Sequence, residues 1–385
     1  MEDEPLREAF AKAVHFLEGL GGRRVGETAS AEELRAALGG TLPQEGADPV
    51  AVIAALAQNV EGGLIATAGP RYFGFVTGGT LPAALAADWL ASAWDQNAAL
   101  FVMSPAAAVV EAIVAGWLLE LLGLPASASV GLVTGCQMAN FTGLCAARGA
   151  VLRRAGHEPD ESGLAGAPPV TVVVGGEAHA TIFTALRMLG IGTGQIQIAA
   201  ADGQGRMKPE ALAPLLAACA GPTIVCAQAG NVNTGAVDPL RAIATLTRAH
   251  GAWLHVDGAF GLWAAASPRH AHLALGLEGA DSWATDAHKW LNVPYDCGIA
   301  VVREPEAHRR AVANTGAAYL VRGGEGQRDG QDWAPESSRH ITFLYWNVVI
   351  WVAWGLAFAV LAAKVRRVRQ QRRAAVAAPP PPPLA

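Results

Sequence analysis

Apolar residues recur along this chain in two patterns, and the first is typical of amphipathic helices. Ser30-Ala-Glu-Glu has the form of a capping box, in which a serine and a glutamate three residues later satisfy free N–H groups at a helix start. Two prolines preceded by a capping side chain mark further helix starts. Residues 1–60 are therefore predicted to form an N-terminal helical segment. The predicted helices cover 5–19, begin after Ser30, after Asp48 and at Ser104-Pro105, and include two apolar runs within 80–122.

Short runs of β-branched residues form the second pattern, and they alternate with helical stretches in the middle of the chain. Continuous apolar runs of this length are typical of strands covered on both faces, as in a mostly parallel sheet. We therefore predict an α/β fold whose ligands bind at the carboxyl ends of the strands. The predicted strands are 170–174, 195–198, 223–227, 252–256 and 298–302, and the predicted helices are 136–154, 180–189, 208–220 and 238–250.

The composition fits a folded enzyme and argues against several other classes of protein. Of 385 residues, 52% are hydrophobic and 16% charged, which is typical of a packed core. A net charge of -5 offers no basic surface for nucleic acid. Five cysteines without a CxxC pair favour neither disulfides nor zinc, and the histidines lack partners at metal-ligand spacing, so no metal site is predicted. Because the acidic N-terminus lacks an apolar signal region, a cytoplasmic location is expected.

Residues 341–363 differ from the rest, because they contain no charge across 23 positions. As a helix they would span about 34 Å, enough to cross a bilayer, and six cations follow in the basic, proline-rich tail 364–385. A transmembrane helix is predicted, and a buried core helix is the alternative. Cations after the helix would orient the preceding residues outward, although no export signal precedes them. A fusion, a changed reading frame or an apolar helix packed on the enzyme would each resolve this conflict.

Lys289 points most directly to a chemistry, because it follows a histidine in an apolar frame that includes Trp283 and Trp290. Partial burial is expected to lower the pKa of this lysine, and the free amine can then condense with an aldehyde. Pyridoxal phosphate enzymes need such an amine. The alternative is a lysine at a strand edge whose amine reaches water.

Three further residues occupy ends of apolar runs, where ligands of parallel sheets bind. Asp257 could keep a pyridine nitrogen protonated, and His179 could stack on a planar cofactor and move a proton. Gly135 precedes a helix whose backbone N–H groups could bind a phosphate. The structural alternatives are a turn at Gly135, a cap at Asp257 and a helix cap at His179. Together with Lys289, the three residues favour a pyridoxal phosphate site.

Seven motifs, taken in order, resemble those of a known family. They are PRYFGFVTGGTLP (70–82), SPAAAVVE (104–111), VTGCQMANFTGL (133–144), GGEAHATI (175–182), GNVNTGAVDP (230–239), HVDGAFG (255–261) and DAHKWLNVPYDCG (286–298). The chain thereby resembles the group II pyridoxal phosphate-dependent amino acid decarboxylases, which include aromatic amino acid and glutamate decarboxylases, from about residue 50 to Arg339. The resemblance implies the aspartate aminotransferase fold (fold type I), a homodimer with active sites at the subunit interface, an amino acid substrate and pyridoxal 5'-phosphate as cofactor.

Position by position, the resemblance implies roles for individual residues. Lys289 would bond to the cofactor aldehyde, Asp257 would pair with the pyridinium nitrogen, and His179 would stack on the ring. Ala259 would pack on the other face of the ring, and Asn231 occupies a cofactor position where relatives often carry threonine. The implied phosphate-binding residues are Gly135, Cys136 and His288, and the implied substrate-binding residues are Phe75, Val76, Thr77 and Gly78.

The end of the chain departs from this family. Relatives continue past the equivalent of Arg339 into a small domain of about a hundred residues, which is largely missing here. Residues 61–304 are predicted to form the cofactor-binding large domain, and 305–339 a remnant of the mobile loop and of the start of the small domain. Tyr319 is the nearest substitute for the proton-donating tyrosine of that loop. The expected function is decarboxylation of an amino acid to its amine and CO2. The alternative is a truncated or membrane-tethered relative that binds cofactor or a partner without turnover.

Overall fold

The computed structural model of the protein describes residues 3–314, 317 and 319–337. Contacts between residues divide the chain into two units, Met1–Gly79 and Thr80–Ala385. The predictions for 341–363 and for the tail 364–385 lie outside the described residues, and so does Arg339.

The first unit contains the three helices that the polar and apolar pattern predicts. They are α1 (Glu4–Gly19), α2 (Ala31–Leu38) and α3 (Pro49–Val60). The capping box is present, because the Ser30 side chain accepts the Glu33 N–H while the Glu33 carboxylate accepts the Ser30 N–H. Asp48 caps α3 by accepting the Ala51 N–H. No residue of these three helices is fully buried within the described chain.

A seven-stranded sheet forms the centre of the described part of the second unit. Its strands are β1 (Ser129–Val133), β2 (Thr171–Gly175), β3 (Ile196–Ala199), β4 (Thr223–Gln228), β5 (Trp253–Asp257), β6 (Ser282–Asp286) and β7 (Gly298–Val302). The order is β1-β7-β6-β5-β4-β2-β3. Only β7 runs antiparallel to its neighbours, so the prediction of a mostly parallel sheet is confirmed. The carboxyl ends of the other strands therefore meet at one edge.

Two of the strands, β1 and β6, were not among the five predicted ones. The β6 sequence Ser-Trp-Ala-Thr-Asp is half polar, yet all five residues are buried. The polar groups are satisfied: the Ser282 hydroxyl bonds to His255, and Thr285 donates to the Ala259 carbonyl. Because those partners come from another strand and its loop, a pattern based on hydrophobicity alone does not reveal this strand.

Helices cover both faces of the sheet. The remaining helices are α4 (Pro82–Trp94), α5 (Pro105–Leu122), α6 (Cys136–Arg154), α7 (Pro159–Ser162), α8 (Ala180–Met188), α9 (Pro209–Ala218), α10 (Leu240–Ala249) and α11 (Pro305–Val312). Alternate residues of β2 serve the two faces: Val173 packs in the core that α5, α9 and α10 share, whereas Val172 and Val174 pack with α6, α8 and α11. The predicted α/β architecture with two helical layers is therefore confirmed.

Among the described helices, only α5 is long and apolar enough to cross a membrane by length and composition. Core helices pass the same test, and α5 buries one side of its length in the sheet core, including Val114, Leu118 and Leu122. It also carries Glu111, which is buried and ion-paired with Arg328. We therefore interpret α5 as a core helix.

Candidate active site

The carboxyl edge of the sheet brings together most residues that the sequence singled out. Gly135 and Cys136 follow β1, His179 follows β2, Asp257 ends β5, and Lys289 follows β6. These strands point the same way, so segments far apart in the chain meet at one edge.

Asp257 is a buried carboxylate surrounded by hydrogen-bond donors. Its Oδ1 accepts the Ala259 N–H at 3.1 Å and lies 3.5 Å from the Cys136 thiol, and its Oδ2 accepts from the Asn140 amide at 3.2 Å. Burial raises the pKa of Asp257, and these hydrogen bonds act in the opposite direction. Asp257 also lines a pocket with His179 and Gln228. A carboxylate placed in this way suits a cationic partner on its pocket side.

Lys289 is paired with a carboxylate that the sequence had not singled out. Its Nζ lies 2.9 Å from Oδ2 of Asp286, the last residue of β6. Burial lowers the pKa of Lys289, but the charge and hydrogen bond of Asp286, together with Cys136 and Asp257, outweigh that effect, and the pKa is raised overall. The expectation of a lowered pKa is therefore wrong for this arrangement, because an apolar frame alone does not reveal a buried anion within contact of the amine.

Asp286 also connects Lys289 to the start of α6. Its Oδ1 accepts the Cys136 N–H at 2.6 Å and lies 3.3 Å from Nε2 of His288. The Cys297 N–H donates to Nδ1 of His288, so the imidazole proton is on Nε2 and faces Asp286. Burial lowers the pKa of His288, in keeping with a neutral ring. One carboxylate thus orients the lysine, the histidine and the first turn of a helix.

Two glycines allow the close approach of backbone at this corner. A Cβ on Gly135 would lie 3.3 Å from the His288 ring and 3.6 Å from Asp286. A Cβ on Gly298, the first residue of β7, would collide with the Gly135 backbone. The start of α6 can therefore lie directly against β7 only because Gly298 lacks a side chain, and Gly135 leaves room for His288.

His179 performs the structural role that was its alternative interpretation, and it also faces the pocket. Its Nδ1 accepts the Thr181 N–H at 3.3 Å, which makes it the N-cap of α8. The same histidine lines the pocket that contains Asp257. The cap holds the imidazole at the mouth of the pocket, so the two roles are compatible.

Two other proposed cofactor residues differ in their surroundings. Ala259 donates its N–H to the Asp257 carboxylate and accepts the backbone N–H of Asp286, so it connects the ends of β5 and β6. Asn231 is buried in a turn: its Oδ1 accepts the N–H groups of Asn233 and Thr234, and its Nδ2 donates to Glu177. The structure therefore gives Asn231 a turn-forming role, and a contact with cofactor stays a prediction.

The predicted substrate-binding residues Phe75, Val76, Thr77 and Gly78 belong to the first unit, whereas the residues above belong to the second. Phe75 is almost fully exposed and has a positive φ of 54°. Their role in binding substrate stays a prediction.

The residues missed by sequence reasoning are Asp286, Asn140 and His255, although all three stand inside the quoted motifs. Asp286 and Asn140 contact Lys289 and Asp257 directly, and His255 contacts Asn140. Asp286 could have been found by its place three residues before the lysine at a strand end. His255 and Asn140 are 115 positions apart, so their contact depends on the fold.

The donor set fits pyridoxal phosphate in its chemistry. A buried carboxylate suits a protonated pyridine nitrogen, and an amine 2.9 Å from a second carboxylate suits an aldehyde partner. Gly135 is the N-cap of α6, and although the Cys136 N–H donates to Asp286, the next N–H groups of the first turn lack intrahelical acceptors, which suits a phosphate. No cluster of metal-binding side chains occurs in the described ranges.

Comparisons with known proteins agree with this chemistry. Residues 32–369 match the pyridoxal-dependent decarboxylase conserved domain. This range is wider than the resemblance seen in the motifs, and it includes the apolar stretch 341–363. The apolar stretch therefore falls within the conserved region of that domain.

Individual relatives include two amino acid decarboxylases and a solved structure. The aromatic-L-amino-acid decarboxylase of Bacillus atrophaeus is 30% identical over 311 residues, 79% of this chain and 62% of the relative. The L-2,4-diaminobutyrate decarboxylase of Rhizobium meliloti is 38% identical over 225 residues, 57% of this chain and 43% of the relative. The crystal structure of Oryza sativa TDC with PLP and tryptamine has a TM-score of 0.82 and 27% identity, over 91% of this chain and 74% of that chain. This chain thus spans less than two thirds of the length of either curated relative. The match to the solved structure confirms the predicted fold type I class.

Proposed function

This chain belongs to the pyridoxal-dependent decarboxylase family, and on that basis we propose that it converts an amino acid to the corresponding amine and CO2. Pyridoxal 5'-phosphate is the cofactor. The observation that carries the proposal is the meeting of Lys289 with a buried Asp257 at the carboxyl edge of the sheet, where the charge of Asp257 acts on the lysine.

The cofactor, when bound, supplies an aldehyde that couples to amines and a ring that accepts the electron pair of the broken bond. Asp257 serves that ring by holding a proton on its nitrogen. The three donors around Asp257 favour its charged form against the effect of burial. A charged Asp257 in a buried site gives a strong and directed interaction with a pyridinium proton.

Lys289 is proposed to hold the cofactor between turnovers. Its Nζ must release a proton before it can bond to an aldehyde carbon. Asp286 Oδ2 lies 2.9 Å away and can accept that proton. A released amine would regain that proton from Asp286, and the resulting carboxylate would again pair with the ammonium beside the site.

Phosphate binding is assigned to Gly135, Cys136 and His288 at the start of α6. Backbone N–H groups of a helix N-terminus attract an anion. Gly135 keeps the approach open, since a Cβ there would contact the His288 ring. His179 is proposed to cover one face of the ring and Ala259 the other, with the N-cap of α8 fixing the position of the imidazole.

A spectroscopic and chemical experiment tests the proposal. We expect the purified full chain to develop a visible absorption band with pyridoxal phosphate and to release CO2 from at least one member of an amino acid panel. Lys289→Ala should abolish the band, whereas Lys208→Ala, a control lysine elsewhere in the unit, should keep it. A missing band in the unmodified chain contradicts the cofactor assignment. A band without CO2 from any amino acid would instead support the non-catalytic relative.

A homodimer with an amino acid substrate is proposed from the family resemblance and from the surface. Helices α4 and α5 expose large apolar side chains, namely Leu90, Trp94, Val109 and Ile113. Apolar residues grouped in this way are typical of protein interfaces. Sedimentation equilibrium is expected to give twice the chain mass, and a monomer at micromolar concentration contradicts the proposal.

We propose a cytoplasmic location, supported by five cysteines that are all free. Membrane attachment through 341–363 stays a prediction from the sequence. Alkaline carbonate extraction distinguishes a transmembrane helix from a helix packed in the enzyme domain. With a transmembrane helix the protein stays in the membrane pellet, and with a packed helix it is released into the supernatant. Since the family match includes 341–363, we expect release.

A further inference from the structure

A chain of hydrogen bonds runs through the buried sheet and ends at Asp257. The Trp253 indole N–H lies 2.9 Å from the Ser282 hydroxyl, which lies 2.8 Å from Nδ1 of His255. Nε2 of His255 lies 2.9 Å from Oδ1 of Asn140, and Nδ2 of Asn140 lies 3.2 Å from Oδ2 of Asp257. All five residues are buried. This chain of hydrogen bonds is therefore shielded from solvent.

The chemistry of the groups determines the direction of every bond in this chain. An indole can only donate, so the Ser282 oxygen accepts from Trp253. Among the described residues, the buried Ser282 hydroxyl has one further side-chain partner, Nδ1 of His255, and its proton therefore goes to that nitrogen. That leaves the imidazole proton on Nε2, where it is donated to the Asn140 oxygen. The Asn140 amide must then turn its N–H towards Asp257. A flipped amide would place its oxygen against a carboxylate and its N–H against another N–H.

Burial changes the protonation equilibria of both Asp257 and His255. Burial raises the pKa of Asp257, which favours the neutral acid. It also lowers the pKa of His255 to about 3, so the imidazole stays neutral and keeps its proton on Nε2. Asn140, Cys136 and Ala259 all donate to Asp257, so none of them accepts the proton of a neutral acid. The hydrogen-bond chain therefore favours the ionised form of Asp257 against the effect of burial.

We propose that Asn140 and His255 are positioning residues that act through Asp257 on the protonation of the cofactor ring nitrogen. This inference rests on the proposed function, because it assigns Asp257 to that nitrogen. Neither residue needs to touch the cofactor. Asn140 and His255 should strengthen the binding only of a ligand whose ring has a nitrogen facing Asp257. If they merely supported the fold, they would affect ligands with and without that nitrogen equally.

The experiment compares two probes that share the aldehyde and the phosphate. One is pyridoxal 5'-phosphate, and the other is its analogue with carbon in place of the ring nitrogen. The measured quantity is the ratio of the two dissociation constants, analogue over cofactor, for the full chain. In Asn140→Ala and His255→Leu this ratio should fall about tenfold or more, as for loss of a hydrogen bond to a charged group. His255→Gln, which can still accept from Ser282 and donate to Asn140, should recover most of the ratio.

Matched controls separate positioning from general damage. His308→Leu removes another fully buried histidine, whose partner is Ser129, and should leave the ratio unchanged. Asp257→Ala sets the full size of the effect, and His255→Leu in that background should change the ratio no further. If His255→Leu does not fold, Asn140→Ala and Ser282→Ala give the same test.

An unchanged ratio in Asn140→Ala and His255→Leu would overturn the inference, whether neither probe is weakened or both are weakened equally. Failure of the unmodified chain to bind pyridoxal phosphate would instead count against the proposed function itself, and it is therefore recognisable as a separate outcome.

Discussion

A carboxylate beside Lys289 determines when its amine is free to react. Asp286 raises the pKa of the lysine, so the ammonium form persists at neutral pH and a proton must leave before covalent attachment. The apolar frame that made this lysine conspicuous would have acted in the other direction. Control over the lysine therefore comes from one ion pair at the end of β6.

Replacing Asp286 by Asn should accelerate covalent attachment of pyridoxal phosphate near neutral pH. The Asn oxygen can still accept the Cys136 N–H, but the charge that stabilises the ammonium is gone. The pH midpoint of the attachment rate, followed by the visible band in a stopped-flow instrument, should fall by about one unit or more. Asp281→Asn, which changes the residue just before β6 at its other end, should leave the midpoint unchanged. A midpoint that stays in place in Asp286→Asn would show that the ion pair does not control the amine.

His308 is predicted to make the folded chain sensitive to acid. Burial lowers its pKa to about 3 from the ordinary 6.5, so the folded state holds it neutral while the unfolded state takes up a proton. Stability is therefore fully present above pH 6.5 and is lost as pH falls towards 3. By pH 5 the loss from this residue is about 2 kcal/mol. His308→Gln should lose less stability than the unmodified chain between pH 7 and 5 in urea unfolding. Equal losses in both proteins would refute this assignment.

Some residues of the site can be predicted from residue type and position in the sequence, and others cannot. Lys289, Asp257 and Gly135 stand at strand ends or helix starts, where position in the sequence already predicts a ligand. Asp286 also stands at a strand end, three residues before Lys289, but Asn140 lies inside a helix and has no such mark, because its role depends on which segments meet across the sheet. Sequence patterns predict the groups that bear the chemistry, and the fold is needed for the groups that orient them.

At the scale of elements, the apolar strands and the capped helices are the parts that the sequence predicts well. Strands β2, β4 and β5 carry continuous apolar runs, and Ser30 and Asp48 cap the helices that they were expected to begin. Strands β1 and β6 escaped prediction, the second because its polar groups bond to β5 and to the loop that follows it. A buried strand can thus be predicted from its own sequence when its residues are apolar, but not when it contains polar side chains that form hydrogen bonds with other segments.

The junction of β7 with α6 gives a prediction at this scale. Gly298→Ala should force the start of α6 away from β7, because its Cβ would meet the Gly135 backbone. Overpacking of this kind costs about 1–3 kcal/mol, and the displaced helix start should also weaken pyridoxal phosphate binding. Gly116→Ala is the matched control: it lies within α5 with open space around it, and it should stabilise the chain by about 0.5–1 kcal/mol. Thermal unfolding and a cofactor titration measure both effects, and unchanged binding in Gly298→Ala contradicts the role of this junction.

At the scale of the whole molecule, the segment 319–337 is connected to the centre of the second unit. It was expected to belong to a mobile loop. Within the described residues, Arg328 reaches Glu111 of α5 at 3.3 Å and the Val130 carbonyl of β1 at 2.6 Å. Asp329 accepts the Phe101 N–H at 2.8 Å. These contacts join parts of the chain that are 198 to 228 residues apart, and local sequence gives no signal for them.

The pair of Glu111 and Arg328 allows this connection to be tested by a double-mutant cycle. Their side chains are 1% and 14% exposed, so removal of one leaves a charge with little access to water. Glu111→Leu is expected to cost about 3–5 kcal/mol, whereas Glu111→Leu with Arg328→Met should recover most of that loss. Urea unfolding measures the cycle. The rate of trypsin cleavage at Arg322 measures how firmly the segment is held. If burial rather than charge holds the segment, cleavage should be fast in Glu111→Leu and slow in Glu111→Leu with Arg328→Met. Additive losses in stability would mean that the two residues act independently and that other contacts hold the segment in place.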